Sequence, residues 1–261
     1  MSQEFRIGVY NGDLRLGYGS VVYPEDSEIT VNGRVIAEGD VEFEGSLKAL
    51  SLRVRDGDIR VNGNLEVEYR IEVRNGSLRV SGDVKAEEIV VEKELKVGGK
   101  VEAQEVEVGG VLRANTVIAE EVSVGGSVKV EELECESIDV GGTLEAGKIK
   151  ADDVNVGGTV KIGTGSIVNL DVGGVLKAEN LETEELSVGG AASIGSLKAK
   201  DVDVGGALKI EGDLEVEVIK VGGLVRCYGD VKIRKIDVGG TVRIHGNAEI
   251  EEMDVEGSVR I

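Results

Sequence analysis

The chain has 261 residues, 41% of them apolar, and 30 basic against 50 acidic residues leave it a net charge of −20. That balance disfavours general nucleic-acid binding, and two cysteines are too few for a secreted disulfide framework. The polar start MSQEF and the lack of any long apolar run argue against a signal peptide or transmembrane helix, so the expected location is the cytoplasm.

From the N-terminus the apolar residues come as pairs flanking one polar residue: Ile7/Val9, Leu14/Leu16, Val21/Tyr23, Ile29/Val31, Val35/Ala37 and Val41/Phe43. Each pair reads as a minimal strand with two residues inward and one outward. The pattern runs to Met253/Val255 and Val259/Ile261. It amounts to about 45 pairs, or about 15 turns of three strands each, at roughly 16–18 residues per turn. Phe and Tyr make up 3% of the chain and Trp is absent, so the core is expected to consist of Val, Ile, Leu and Ala. Most aromatics lie early, at Phe5, Tyr10, Tyr18, Tyr23, Phe43 and Tyr69. Spacing over residues 1–30 is less regular than over 31–261, but the whole of 1–261 reads as one continuous β-solenoid.

Ten Gly-Gly pairs mark the second half. They begin at Gly98-Gly99 and Gly109-Gly110; from Gly109 the first glycine recurs every 16 residues to Gly205, then at Gly222 and Gly239. A short fixed period of this kind indicates a solenoid, with each repeat one turn stacked on the last. The predicted cross-section is a triangle with Gly-Gly at one corner, where tight turns often need φ > 0. The interval from Gly98 to Gly109 is only 11 residues. It predicts either a deleted face or a shift of the glycine turn to another corner.

The outward residues decide between these. One face reads Arg60, Arg79, Lys96, Arg113, Lys129, Glu145, Lys161, Lys177, Ser193, Lys209, Arg226, Arg243 and Arg260, basic straight through the irregularity. A second alternates in sign, as in Lys48, Glu66, Lys85, Glu102 and again in Glu182, Lys198, Glu215, Lys232, Glu249. A third runs Glu107, Ser123, Asp139, Asn155, Asp171, Ser187, Asp203, Lys220, Asp237, Asp254. Stacked residues about 5 Å apart favour alternation, because like charges directly opposite repel. The faces run on unbroken, so the shift of corner is the expected explanation.

The basic ladder has two readings. Lys and Arg stems could cover the sheet while corner carboxylates neutralise them. Alternatively Arg113, Lys129, Lys161, Lys177, Lys209, Arg226, Arg243 and Arg260 form a docking face for an acidic partner, such as the acidic face of a neighbouring rod or anionic lipid. Nucleic acid is the weakest candidate, since this face lacks aromatics for base stacking. The third-face carboxylates are too diluted for a calcium ladder, and no helix follows any Gly-Gly to form a phosphate loop. Cys135 and Cys227 fall on inward positions and are expected as buried thiols. His245, the only histidine, sits at a predicted corner. Corners of two to four residues build no cleft, so neither catalytic residue, metal nor cofactor is expected.

Segments such as Val61-Asn-Gly-Asn-Leu-Glu-Val67, Val80-Ser-Gly-Asp-Val-Lys-Ala-Glu87 and Val124-Gly-Gly-Ser-Val-Lys-Val130 resemble the valine-glycine-strand phrase of the bactofilins, polymer-forming cytoskeletal proteins. The likeness extends over nearly the whole chain. It implies a right-handed, three-faced parallel β-helix that polymerises head to tail without nucleotide. The rod is longer than the usual bactofilin core, and no disordered tail is expected, hence no tail-borne membrane attachment. The last pair, Val259/Ile261, carries no evident cap, and an uncapped solenoid offers an open core and a free strand edge. The expected contacts are Phe5, Ile7 and Val9 at one end and Val255, Val259 and Ile261 at the other, with self as the partner and lateral bundling a further option. The alternative is a rod-like scaffold presenting its basic face to an acidic partner or an anionic membrane.

Overall fold

The structure is a computed structural model that describes residues 3–261. Every regular element among them is a β-strand, and the strand pairs are parallel. The strands wind into a solenoid of about 15 turns, with three sides to each turn. Two compact units are distinguished, residues 1–135 and 136–261.

In the first unit, one coil after another lays the same three sides in the same places. On the basic side Glu42 stacks on Arg60, Arg60 on Arg79, Arg79 on Lys96, Lys96 on Arg113 and Arg113 on Lys129. On the alternating side Lys48, Glu66, Lys85, Glu102, Ile118 and Glu134 follow one another. On the third side Arg53, Glu72, Val90, Glu107 and Ser123 do so. The residues flanking each of these point inward. Ile59, Leu78, Leu95 and Leu112 form one buried column, and Ile71, Ile89 and Val106 another. Each such side chain contributes about 1.5–3 kcal/mol by leaving water, and the parallel ladder satisfies the backbone between coils.

The short glycine interval is a change of corner. Gly98 and Gly99 lie over Ser81 and Gly82, at the corner that follows the basic side. Gly109 and Gly110 lie over Glu92 and Lys93, at the corner that precedes it, and Gly125 continues that column. Eleven residues therefore span two sides rather than three, and no side is lost. Where the first unit lacks Gly-Gly, Asp and Asn side chains do similar work. Asp40 accepts from the Asp58 amide at 2.8 Å, Asp58 from the Ser77 amide at 2.8 Å, and Asp83 from the Lys100 amide at 2.8 Å.

The second unit is more regular. The 14-residue strands Thr143–Val156, Thr159–Val172, Val175–Val188 and Ala191–Val204 each pass round all three sides and stack residue on residue at an interval of 16. Glu145, Lys161, Lys177, Ser193, Lys209, Arg226, Arg243 and Arg260 form its basic column.

Two expectations are corrected here. The Gly-Gly corners do not use positive φ; the glycines that do are Gly12, Gly19 and Gly39. The reason for glycine is proximity. A Cβ on Gly173 would stand 2.4 Å from the Gly157 carbonyl oxygen, and one on Gly174 would stand 2.4 Å from that of Gly158. The second correction concerns the first coils. The inward pair is Ser20/Val22, beneath Val41/Phe43, and not Val21/Tyr23. Buried Ser20 donates its hydroxyl to the Gly17 carbonyl at 2.8 Å, which satisfies a polar atom in an otherwise apolar column. Likewise Ile7/Val9 is not one strand pair: Tyr10 stacks on the inward Val31, while Val9 stacks on the outward Thr30.

Candidate functional site

Three regions bear on function: the basic column, the terminal coils and the corner that holds His245. The basic column differs between the two units. In the first unit carboxylates pair with its arginines. Arg60 reaches Glu42 at 3.4 Å, Arg79 reaches Asp58 at 3.2 Å and Glu94 at 2.9 Å, and Arg113 reaches Glu94 at 2.8 Å. Lys129 stacks on Arg113. In the second unit Lys161 pairs with Glu145 at 3.1 Å, and Lys209 pairs with Glu211. Lys177, Arg226, Arg243 and Arg260 have no ion-pair partner among the described residues. The cause is local sequence. On the side where the first unit places Asp58 and Glu94, the corner positions beside Arg226, Arg243 and Arg260 are Leu224, Thr241 and Ser258; on the other side Tyr228 follows Arg226 and His245 follows Arg243. Three arginines thus stack at single-coil spacing without an ion-pair partner among the described residues, so this stretch attracts negative charge.

His245 follows Ile244 at the corner after the basic side, and Tyr228 holds the same place one coil earlier. Their rings stack with centroids 5.1 Å apart and planes 8° from parallel. The Lys209 ammonium lies 5.6 Å from the Tyr228 ring centre. His245 has neither a nucleophile nor a carboxylate within hydrogen-bonding reach among the described residues. The aromatic stack went unread in the sequence; its signal was two ring-bearing residues 17 apart at one corner.

At the C-terminal end the ladder positions continue but lose their cover. Val242 and Ile244 are fully or almost fully buried, whereas Val259, stacked on Val242, is 45% exposed and Ile261 68% exposed. Met253 is exposed and Val255 half-buried, above the buried Ile236 and Val238. The strands Ala248–Val255 and Ser258–Arg260 each pair with a strand of the preceding coil, Val231–Val238 and Thr241–Ile244. At the N-terminal end Phe5 is half-buried over Val22, and Ile7 is buried beside Pro24. Val9 is 67% exposed on the outer surface. The six residues named from sequence therefore occupy different settings: Val259 is an exposed ladder position, Ile261 is exposed just past the last strand, Phe5 and Val255 are half-covered, Ile7 lies within the core, and Val9 faces outward.

The two thiols are buried. Burial pushes the Cys227 pKa up to about 12. On the alternating side, Lys100 and Lys85 both donate to Glu102, at 2.8 and 2.7 Å, and hold its carboxyl down at about 2. On the third side, Glu72 bridges Arg53 and Arg74, each at 2.6 Å. Burial works to raise its pKa, but the hydrogen bonds from Arg74 and Arg53 outweigh it and the net direction is downward. Among the described residues no group of three or more His, Cys, Asp or Glu is placed to hold a metal ion, and no helix is long and apolar enough to cross a membrane. The grooves run along the sides of the coils; one in the second unit, about 670 Å³, follows its alternating side between two rows of charged side chains.

No family model, curated protein or solved structure matches the chain.

Proposed function

We propose that this protein is a structural element of the cytoplasm that polymerises head to tail into filaments without nucleotide, as its resemblance to the bactofilins implies. The observation that carries the reading is the stacking of the coils themselves: each lays parallel strands on the one before, as Ser258–Arg260 does on Thr241–Ile244. A coil of an incoming copy laid against a terminal strand edge would extend the same parallel ladder from one molecule into the next. A head-to-tail contact of this kind does not close on itself and so propagates. Replacing Val259 and Ile261 with Arg puts charge into that contact. The double variant should stay folded by circular dichroism and form no filaments in electron micrographs. Filaments from the variant indistinguishable from those of the parent would refute the end contact, and a parent that forms none would refute the function.

A second reading has its own support in the unneutralised cations of the second unit. Here the protein is a scaffold that presents Lys177, Arg226, Arg243 and Arg260 to an acidic partner. Reversing Lys161, Lys177, Lys209 and Arg226 to Glu separates the two readings. Filaments built from end contacts survive it, whereas binding through the basic column does not.

A further inference from the structure

The alternating side of the second unit carries a pattern that stability within one chain does not require. Its central column reads Glu182, Lys198, Glu215, Lys232, each stacked on the one before. Beside it, two residues further along each coil, Glu184, Lys200, Glu217 and Arg234 line the same groove. All of these side chains are exposed. Both columns alternate in sign, which relieves repulsion between coils: Lys198 pairs with Glu182 at 3.3 Å, Lys200 with Glu184 at 2.7 Å and Lys232 with Glu215 at 3.8 Å.

The two columns also alternate in phase, and that is the unexplained part. Each of these four coils carries two acids or two bases, so this stretch of the surface is striped across the axis. Out-of-phase columns would make a checkerboard, giving every charge an opposite neighbour both along and across the coils. Stripes keep like charges side by side within each coil, an arrangement that the ion pairs between coils offset but do not require. The groove floor is apolar and polar-satisfied: Ile167, Ala199 and Val216 are buried, and the Thr183 hydroxyl, 3.0 Å from both the Val168 and the Glu185 carbonyl, has its one proton placed to donate to either.

We infer that this striped side is a lateral contact with a second, antiparallel copy of the same chain. Symmetry selects this arrangement. A two-fold axis in the plane of contact, perpendicular to the stacking direction and between the Lys198 and Glu215 coils, reverses coil order while keeping each column over itself. The Lys198/Lys200 stripe then faces Glu215/Glu217 of the second copy. Likewise Glu182/Glu184 faces that copy's Lys232/Arg234, and each contact occurs twice, as an isologous interface requires. A two-fold parallel to the stacking direction would instead set every stripe against its own sign. Stripes therefore select the antiparallel pair and disfavour the parallel one, a discrimination a checkerboard cannot make. A second copy is also the partner whose charges repeat at the same strand spacing of about 4.8 Å, so its stripes stay in step along the contact. This contact is separate from the end contact proposed above.

The test uses full-length protein carrying Val259→Arg and Ile261→Arg, so that filaments do not obscure pairing, with mass read by sedimentation equilibrium. Lys198→Glu with Lys200→Glu sets acid on acid across the two-fold, and Glu215→Lys with Glu217→Lys sets base on base. Each should weaken pairing by at least about tenfold. An equimolar mixture of the two should pair again, since every stripe then meets its opposite, and the chain carrying all four changes should pair with itself. Raising salt should weaken every one of these pairs. A parent that stays monomeric, or a mixture that pairs no better than either variant alone, overturns the inference. If the end variant still forms filaments, the end contact has failed and not this one. Filament width in micrographs then reports pairing directly, doubled in the parent and the mixture and single in each stripe variant.

Discussion

Gly173 makes the close-approach explanation of the glycine corners measurable. An alanine there would bring its Cβ to 2.4 Å from the Gly157 carbonyl oxygen, inside the 3.0 Å that such contacts essentially never cross. The coils must open locally by about 0.6 Å even to reach that limit. The hydrogen bond from the Gly173 amide to the Val156 carbonyl, now 2.9 Å, would stretch to the edge of bonding range. Losing that bond and straining the neighbouring coils should together cost about 2–3 kcal/mol. Urea unfolding followed by circular dichroism gives the total, and native-state hydrogen exchange should place the loss in the coils around Val156 and Val172. Gly17 supplies the control, because nothing lies within 4 Å of a Cβ built there and its φ is not positive. Gly17→Ala should be neutral or stabilising by up to about 1 kcal/mol. Equal effects at the two sites would refute the argument from close approach.

Three further outcomes follow from the site chemistry. The Glu102 carboxyl, held down by Lys100 and Lys85, should titrate near 2 when followed by NMR, and Lys100→Ala should raise that midpoint. Because its folded pKa is depressed, its stabilisation is present above the unfolded value of about 4.3 and is lost as pH falls from there through 2. Cys227 should resist thiol reagents at pH 8 in the folded protein and react once urea unfolds it. Its folded pKa is raised, so its contribution to stability is complete below the unfolded value of about 8.5 and disappears as pH rises towards 12. Glu72→Ala removes the acceptor that Arg53 and Arg74 share, and should cost about 1–2 kcal/mol in urea unfolding, reduced by the partial exposure of both arginines.

Much of the architecture was legible in the sequence. The three columns of outward charges, inferred from spacing alone, coincide with the observed strand register within each unit, and the shift of the glycine corner near Gly98 follows from them. The reading slipped where apolarity was a poor guide to direction. Ser20 lies inside because one local hydrogen bond satisfies it, and Val9 lies outside in a terminal coil with fewer neighbours to enforce alternation. The basic column illustrates a different limit. Its continuity was plain from composition, but whether each cation is neutralised depends on corner residues 15 to 21 positions away, brought alongside only by the coil.

Period and alternation belong to the sequence because they are properties of neighbouring residues: an inward-outward-inward triplet and a 16-residue repeat require a stacked coil whatever else happens. The tertiary structure decided matters that depend on distance between coils. It showed that the corner glycines answer to a carbonyl 2.4 Å away and not to a left-handed φ. It showed that Arg79 has carboxylate partners while Arg226 and Arg243 have none. It also set two alternating columns side by side along one groove, where their shared phase turns charge relief within a chain into a surface able to choose how a second copy lies against it.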